Sequence, residues 1–587
     1  MSYFNNRLPR SRGAWLFGGV ALAMSLVATG ASAQFHLLKP DYEFKKPKAE
    51  ISPLDVSAGP VGLPSGPISS GSITISFEGI SQYDVASVNR NFIPPDTIMA
   101  AGKTQLVEFV NGGFAVFDKT NGARTFTSDT AFWQNKAGLT GVVPNGDQRV
   151  MYNANADRWI ALSFGANTKD ILVAVSTTSD ALGAWKATSF EGFTPLAAGA
   201  RTLADYPTLA MDTKAVYIGT NDFAAAVVGG PTNFRGTTLN VIPIADLFKA
   251  DLSAPITTGN VQFRTPYTGS ALDDFTRGFA IQGVNNNTVT TTGKIIAASI
   301  NDFGLTRYDV LNAGTAGAVR TATASTTIGT DYTFNNPARQ PSAAIAANRR
   351  IVDSFGDQIS SSAWEVGGRI YSVHTVTNNG SDFTSVRYTV LDALTNAVLD
   401  EGNIGGGNFD YYQGSLAVNE FGQVVLGYNR SGLQQDDLDG DGFSDGNITL
   451  LARSFLTDSI GKLVQVGDEL KLKVSLTDDY HNGALFGQAA AGRQRWADYS
   501  AVSLDPEDSS LFWVAGAFAR EYNNAAGGHV GGTGGSRWGT FIAAIDFDRQ
   551  SDVPEPPSWA LIMLALGLSG AMMRRRRSQV TFAKVSV

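Results

Sequence analysis

Three stretches of the chain share one residue pattern. They read DYPTLAMD at residues 205–212, DYYQGSLAVN at 410–419 and DYSAVSLD at 498–505. After each comes a polar turn and then a bulkier run, which is AVYIG at 215–219, VVLG at 424–427 and LFWVA at 511–515. Short β-branched and aromatic runs between Gly, Asn and Asp turns are typical of β-strands. The pattern therefore predicts an antiparallel sheet that recurs along the chain.

Looser copies of this unit begin near Asp96, Asp147 and Asp357, with another at Asp273 or Asp274. This gives about seven units of roughly sixty residues, a length that suits a four-stranded sheet with a loop insertion. Small residues in each first strand are needed where several strands converge on one axis. We therefore predict an all-β fold, a single β-propeller of seven antiparallel four-stranded blades over residues 74–550. Two β-sandwich domains are the alternative, although sandwich strands need no repeated Asp-Tyr.

The composition agrees with a turn-rich β-protein. The chain has 587 residues, 63 of them Gly, with only 17% charged residues and no Cys. Few charges argue against long helices with many ion pairs. The lack of Cys excludes a disulfide framework, a thiol nucleophile and a Cys-bound zinc.

The N-terminus has the features of an export signal. Arg7, Arg10 and Arg12 precede an apolar run over residues 14–27, and the segment ends with Ala31-Ser32-Ala33. Small residues at 31 and 33 fit signal peptidase, so we predict a signal helix over residues 1–33 with cleavage after Ala33. A retained anchor is the alternative. Residues 34–73 are rich in Pro, Lys and Ser and are predicted to form a linker or extended arm.

The C-terminus combines three features in order. Pro554-Glu555-Pro556 precedes an apolar run over residues 559–573, and Arg574, Arg575, Arg576 and Arg577 follow at once. As a helix this run is about 22 Å long, so we predict a short transmembrane helix with its Arg cluster on the cytoplasmic side. The region over residues 551–587 resembles the PEP-CTERM sorting signal. The resemblance implies a Gram-negative source, processing by an exosortase, transient membrane anchoring and delivery to the cell surface. A plain tail anchor is the alternative.

The net charge of the chain limits the classes of molecule that are expected to bind it. The whole chain carries a net charge of −8, and removal of the eight basic residues in the two end segments leaves 37 Lys and Arg against 53 Asp and Glu. A body with a net charge of −16 repels phosphate backbones and anionic membranes. Nucleic acid is therefore not expected as a partner, whereas a cation or a neutral polymer such as an extracellular polysaccharide is.

Several stretches of the body resemble a group of secreted bacterial propeller proteins. They include PPDT at 94–97, VNGGFAVFD at 110–118, DQRVMY at 147–152 and WADYS at 496–500. Ser179, Asp180, Gly183 and Trp185 resemble a degenerate Asp-box of the sialidase type, with altered spacing. The resemblance implies a propeller fold but gives no substrate.

The sharpest local motif is an acidic loop. Asp437, Asp439, Asp441 and Asp445 occupy positions 1, 3, 5 and 9 of a loop that has Gly at position 6. Alternate carboxylates with the Phe443 carbonyl match the start of a calcium-binding loop, and we predict a structural Ca²⁺ here. Position 12 is Ile448, where an EF-hand has Glu, so a solvated acidic hairpin is the alternative.

The acids that open the units form a second candidate site: Asp96, Asp147, Asp205, Asp357, Asp410 and Asp498. In a propeller they would lie near the mouth of the central channel, where they could bind a cation, a sugar or an amine. Asp also caps turns by accepting backbone N–H bonds, and its recurrence in every unit favours that structural role.

Catalytic signatures are missing from the sequence. The chain has four His residues and no His-Glu-x-x-His, Gly-x-Ser-x-Gly or phosphate-binding Gly-Lys-Ser motif. We therefore expect a surface protein that binds or scaffolds within an extracellular polysaccharide matrix. A carbohydrate-active hydrolase or lyase with its site in the propeller mouth is the alternative.

Overall fold

The fold is described from a computed structural model. It describes residues 70–193, 203–225, 232–249, 259–262, 279–288, 290, 292–298, 304–321, 324–326, 332–333, 337–342, 351–354, 358–378, 381–482, 493–521 and 536–547. The predicted signal helix, most of the arm and the sorting segment lie outside these residues. In the described part of the chain, no helix is long and apolar enough to cross a membrane.

The described chain is all-β and consists of sheets in sequence order, with antiparallel pairing apart from one short parallel contact in sheet 4. The first strand, β1 (Gly71–Ser81), belongs to the last of these sheets. It includes Gly71–Ile73, which the sequence pattern assigns to the arm. Sheet 1 contains β2 (Ile98–Ala101), β3 (Gln105–Val110), β4 (Gly113–Asp118) and β5 (Arg124–Ser128). Sheet 2 contains β6 (Arg149–Asn153), β7 (Arg158–Phe164), β8 (Asp170–Ser176) and β9 (Trp185–Glu191).

The middle of the chain forms two larger sheets. Sheet 3 contains β10 (Leu203–Asp205), β11 (Ala210–Met211), β12 (Ala215–Ala225), β13 (Thr232–Pro243) and β14 (Gly259–Gln262). Half 4a of sheet 4 contains β15 (Phe279–Asn285), β16 (Thr292–Ala298), β17 (Leu305–Leu311), β18 (Val319–Arg320) and β19 (Ala324–Thr326). Half 4b contains β20 (Tyr332–Thr333), β21 (Ala363–Val366), β22 (Arg369–Asn378), β23 (Thr384–Asp392) and β24 (Val398–Ile404). Among the described residues, only two pairs join the halves, Val284 with Ala363 and Asn285 with Trp364, in a parallel pairing of β15 with β21.

The last two sheets complete the order. Sheet 5 contains β25 (Phe409–Val418), β26 (Gln423–Gly432), β27 (Thr449–Thr457) and β28 (Leu463–Val474). Sheet 6 contains β29 (Ala501–Leu504), β30 (Leu511–Ala519), β31 (Trp538–Phe547) and, beside β31, the N-terminal strand β1. Helix within the described ranges is confined to short pieces: α1 (Gln82–Ser87), α2 (Asp129–Ala131), a π-helical turn (Phe132–Lys136) and α3 (Ile244–Leu247).

Neighbouring sheets pack face to face through apolar clusters. One cluster joins sheets 1 and 2 through residues such as Phe109 and Trp159. Similar clusters join each following pair along the chain: sheets 2 and 3, sheet 3 and half 4a, halves 4a and 4b, half 4b and sheet 5, and sheets 5 and 6. A further cluster packs Trp513 and Trp538 of sheet 6 against Met99 and Leu106 of sheet 1. The last sheet therefore contacts the first, and the arrangement is propeller-like.

Pairing of the two ends of the body completes sheet 6. Strand β1 runs antiparallel to β31, with Gly71 opposite Phe547 and Phe77 opposite Ile542. The Ile80 N–H also donates to Glu108 Oε2 of sheet 1 at 2.8 Å. A strand contributed by the N-terminus thus completes the C-terminal sheet and links it to sheet 1.

The molecule has two distinct ends. At the hairpin end lie the tight turns that join the first strand of a sheet to its second and, in sheets 1, 2 and 5 and in half 4b, the third strand to the fourth. Neighbouring turns contact one another there, since Asn419 Nδ2 donates to the Ser509 carbonyl at 2.7 Å and Lys119 pairs with Asp505. At the opposite end, which we call the acid end, the chain enters the first strand of each sheet.

Candidate functional site

Three of the predicted acids meet at the acid end. Asp96, Asp147 and Asp498 are fully buried, and one carboxylate oxygen from each lies within 4.8 Å of the others. They precede β2, β6 and β29, the first strands of sheets 1, 2 and 6. The order of these sheets brings together residues that are about 400 positions apart, as the 2.8 Å bond from the Asp498 N–H to Asp96 Oδ1 shows.

A repeated backbone conformation places these residues. Asp96, Asp147, Tyr206, Ala280 and Gln413 have φ between 52° and 54°, in the left-handed region, just ahead of or within a first strand. Four of them donate their N–H to a side chain of the preceding sheet. The acceptors are Asn111 Oδ1 for Asp147, Asp147 Oδ2 for Tyr206, Asn221 Oδ1 for Ala280 and Thr375 Oγ1 for Gln413, at 2.8–3.0 Å. Two of the acids, Asp147 and Asp96, therefore accept an N–H group from a neighbouring sheet, whereas turn capping would use a local N–H.

Two arginines lie beside the acids. Arg149 donates from Nε to the Pro207 carbonyl at 2.9 Å, and its guanidinium lies 3.5 Å from the centroid of the Tyr499 ring. Arg495 Nη2 lies 3.5 Å from Asp498 Oδ1. A buried carboxylate is stable as an anion only when such charges and hydrogen bonds compensate for lost hydration.

The nearby charges and hydrogen bonds compensate only in part for the hydration that the buried carboxylates lose. Burial raises the pKa of Asp498 from 3.8 to about 7, against the opposing charge of Arg495. Burial raises the pKa of Asp147 well above its usual value, and the charges of Asp96 and Asp498 add to that rise. Burial also raises the pKa of Asp205, with further contributions from Asp147 and Asp498. The cluster therefore tends to retain protons, or to attract a cation, near neutral pH.

A small cavity lies where the first strands converge. Its volume is about 40 Å³, and its lining includes Ile98, Arg149, Gln282, Ser415 and Ser500, which lie in or next to five different sheets. A buried water needs roughly 10–15 Å³ of such volume, so the cavity has room for a few waters or one ion and none for a sugar ring.

The remaining predicted acids lie in different settings. Asp205 is buried at the end of β10, close enough to the cluster to influence it electrostatically. Asp410 is buried with other partners: it pairs with Arg339 at 3.1 Å and accepts the Thr384 N–H at 2.9 Å. Asp357 lies outside the described residues. Of the six acids that the repeats predict at the mouth of the propeller, three therefore form a cluster in the described chain: Asp96, Asp147 and Asp498.

The acidic loop is compact and exposed, and it joins β26 to β27 at the acid end. Asp437 accepts N–H groups from Gly440 at 2.8 Å and Gly442 at 2.9 Å. The carboxylates of Asp437, Asp439 and Asp441 converge within 4.8 Å. Lys471 pairs with Asp439 and, at 2.8 Å, with Asp441, so an ammonium group lies where a cation would be attracted.

Two glycines and Asp445 fix the shape of the acidic loop. Gly440 and Gly442 have φ of +75° and +89°, which the tight turn requires. Asp445 donates its backbone N–H to the Asp436 carbonyl at 2.9 Å and so closes the base of the loop. The donor set of carboxylates fits a hard cation such as Ca²⁺.

The Asp-box-like stretch forms a hairpin at the other end. Trp185 Nε1 donates to the Ala181 carbonyl at 2.9 Å, and Asp180 accepts from Gln105 Nε2 at 2.9 Å. This hairpin connects β8 to β9 at the hairpin end, opposite the end that holds the acid cluster. Its position suits a structural role.

Sequence reasoning did not identify two buried polar residues that connect neighbouring sheets. Asn111 donates to Asp96 Oδ2 at 2.6 Å and accepts from the Asp147 N–H, so it connects two of the acids. Glu108 is fully buried between sheets 1 and 6, and burial raises its pKa to about 7. An acid within the otherwise apolar run LVEFV at 106–110 was the available signal for Glu108.

Comparisons with known proteins bear mainly on the C-terminus. Residues 552–577 match the PEP-CTERM protein-sorting motif. That motif indicates an exported, surface-sorted protein that is anchored in the membrane and processed by an exosortase. No curated protein matches the chain.

Among solved structures, the chain is similar to a protein of unknown function from Dyadobacter fermentans at 10% identity, with 76% of this chain and 93% of that chain covered and a TM-score of 0.33. It is also similar to an α-L-arabinofuranosidase from Lactobacillus brevis (12% identity, 56% and 96% covered, TM-score 0.30). An exo-1,5-α-L-arabinanase from a bovine ruminal metagenomic library gives 10% identity, 55% and 96% covered, and a TM-score of 0.29. Scores this low carry no argument about activity.

Proposed function

We propose that the body is a single seven-bladed β-propeller, with halves 4a and 4b of sheet 4 as separate blades. Two observations support this reading. Only two residue pairs of the described chain join the halves, and each half has its own antiparallel order. An apolar cluster also packs the halves face to face, as it does for other neighbouring sheets. The domain limits that go with the proposal are 1–33 for the signal, 34–73 for the arm, 74–550 for the propeller and 551–587 for the sorting segment, except that Gly71–Ile73 belong to β1 and therefore to the propeller.

The function best supported is binding or scaffolding at the cell surface, in the extracellular polysaccharide matrix of a Gram-negative bacterium. The observation that carries this proposal is the state of the acid cluster. Asp96 and Asp147 accept N–H groups that hold adjacent sheets together, and the cavity beside them is too small for a sugar. Acids used in this way stabilise a rigid body, and ligand contact is left to its outer loops.

A carbohydrate-active enzyme is the second candidate. Asp498, with a pKa of about 7 beside two other carboxylates, has the acidity required of a general acid, but it would reach a sugar only if the acid end opened, because the cavity there has no room for a sugar ring. A glycan array combined with sugar-release assays on the same panel separates the two. Binding without release supports the scaffold. Release that is lost in Asp498→Asn but kept in Asp410→Asn supports the enzyme.

A structural Ca²⁺ in the acidic loop is part of the same proposal. Three converging carboxylates, two left-handed glycines and a loop between strands support it. Bound Ca²⁺ would displace Lys471 from Asp439 and Asp441 and would hold the loop rigid at the acid end. Its role is to order the loop, and no reaction step is assigned to it.

Removal of the two end segments during export is also proposed. Cleavage after Ala33 and exosortase processing within the sorting segment would release the propeller without Arg574–Arg577. Mass spectrometry of surface-exposed protein tests this. A tail that remains intact and confined to the inner membrane would contradict exosortase processing.

A further inference from the structure

Three large apolar side chains protrude from turns at the hairpin end. The exposed fractions are 90% for Leu394, 68% for Phe421 and 64% for Ile460. These are three of the four most exposed large apolar residues of the described chain, and the fourth, Leu438, is in the acidic loop at the opposite end. Each protruding residue is in a tight turn between two strands, where Gly, Asn, Asp and Ser are the usual residues.

Direct contacts connect these turns along one edge. Arg369 of half 4b donates to the Ser459 carbonyl beside Ile460 at 2.9 Å. The Thr457 N–H donates to the Gly422 carbonyl beside Phe421 at 2.8 Å. The turn that holds Leu394 closes onto the same half, through the bond from the Ala393 N–H to the Gly368 carbonyl at 2.8 Å. The three side chains therefore belong to one edge of two adjacent blades.

The chain leaves the body at this same end. Strand β31 finishes at Phe547, whose N–H donates to the Ser510 carbonyl in the turn that also contacts Asn419. Eleven residues separate Phe547 from Trp559, the start of the apolar run of the sorting segment. Fully extended, they reach at most about 36–40 Å, which is less than the width of a body of this size, about 60 Å.

Isolated apolar tips suit a lipid surface better than a second copy of the chain. They are separated by polar residues such as Thr395, Glu420 and Ser459, so they offer no continuous apolar area. Asp392 and Asp458 lie in the same turns and offset the charges of the nearby Arg369 and Lys462. Attraction to anionic lipids is therefore weak, and contact would come from insertion of apolar tips.

We infer that the edge formed by Leu394, Phe421 and Ile460 rests on the lipid surface while the sorting segment is anchored, with the acid end turned away from the membrane. This inference rests on the proposed anchored form. It assigns a contact surface and an orientation to that form, in which the exposed acidic loop faces away from the membrane.

The absence of Cys from the chain makes a direct test possible. The full chain is reconstituted in phosphatidylcholine nanodiscs as two single-cysteine variants, Phe421→Cys and the matched control Leu438→Cys, each with an environment-sensitive fluorophore. Nitroxide-bearing lipids then quench the label by proximity. Quenching several-fold stronger at position 421 than at 438 is expected. Adding Leu394→Ser and Ile460→Ser to the first variant is expected to reduce that quenching.

The possible failures differ from one another. A chain that fails to associate with the nanodiscs overturns the anchored form and this inference together. A chain that associates but shows equal quenching at both positions overturns only the inference. Shielding of the label at 421 from water, without lipid quenching and only in discs that hold two chains, would replace the lipid surface by a second copy and would also overturn it.

Discussion

Replacing Asp498 by Asn should change how the stability of the protein depends on pH. The folded protein holds this carboxyl at a pKa of about 7, whereas the usual value is 3.8. The folded state therefore keeps a proton that the unfolded state releases. Its stabilising effect is complete below pH 3.8, declines as pH rises, and is lost above about pH 7. Asn cannot ionise, so the variant lacks this dependence.

The size of the effect follows from the same numbers. A rise of about three pKa units corresponds to about 4 kcal/mol of unfolding free energy, at about 1.36 kcal/mol per unit. The body from Gly71 to Phe547 has an unfolding entropy of about 1 kcal/mol/K, from about 2.1 cal/mol/K per residue. The difference in Tm between Asp498→Asn and the native protein should therefore move by up to about 4 °C between about pH 4 and pH 8, in favour of the variant at high pH.

Differential scanning calorimetry at five values between about pH 4 and pH 8 measures this difference. Asp392→Asn is the matched control, because Asp392 is a turn residue whose pKa is lowered by hydrogen bonds from Thr395. The difference in Tm between this control and the native protein should stay constant throughout the range. Curves for Asp498→Asn that run parallel to the native curve would refute the assignment of a retained proton to this cluster.

Further predictions concern the loop and the packing of glycines. Calcium should raise Tm and chelation should lower it, and both effects should disappear in Asp439→Asn; an unchanged response in that variant would place the cation elsewhere. Gly79→Ala would put a Cβ 2.5 Å from Glu108 Oε2, so β1 should detach more easily and residues 70–81 should become sensitive to limited proteolysis. The control is Gly317→Ala, whose Cβ meets only Thr315 Oγ1 at 3.5 Å. This control should leave residues 70–81 protected. Gly293→Ala would put a Cβ onto the Tyr217 hydroxyl and should lower the free energy of unfolding in urea by about 1–3 kcal/mol. An unchanged free energy of unfolding would show that sheet 3 and half 4a pack less closely than described.

Local patterns in the sequence predicted the strands because strand and turn signals act over a few residues. The Asp-Tyr stretches at 205, 410 and 498 do begin at or next to the first strands of sheets. The role of the N-terminal segment was harder to read. Gly71–Ile73 resemble the preceding arm in composition, and only their pairing with β31, more than 450 residues later, makes them part of a sheet.

The candidate site shows the same limit. The repeats identify the acids but not which of them meet, because that depends on the order of sheets around the axis. Asp96 and Asp498 are adjacent only because sheet 6 packs on sheet 1, whereas Asp410 is drawn to Arg339. Asn111 could not be recognised, since a turn residue before Gly-Gly usually needs no long-range partner.

Contact between the two ends of the body is the central claim, and a disulfide tests it most directly. Ser72 lies opposite Asp546 in the β1–β31 pairing, and neither residue is buried. In the Cys-free chain, Ser72→Cys with Asp546→Cys should oxidise to a single intramolecular disulfide, seen as faster migration in non-reducing gels and as one linked peptide by mass spectrometry. The control pair Ser72→Cys with Thr315→Cys should stay reduced. A 72–546 pair that remains reduced, or links no better than the control, would contradict a ring closed by its own termini.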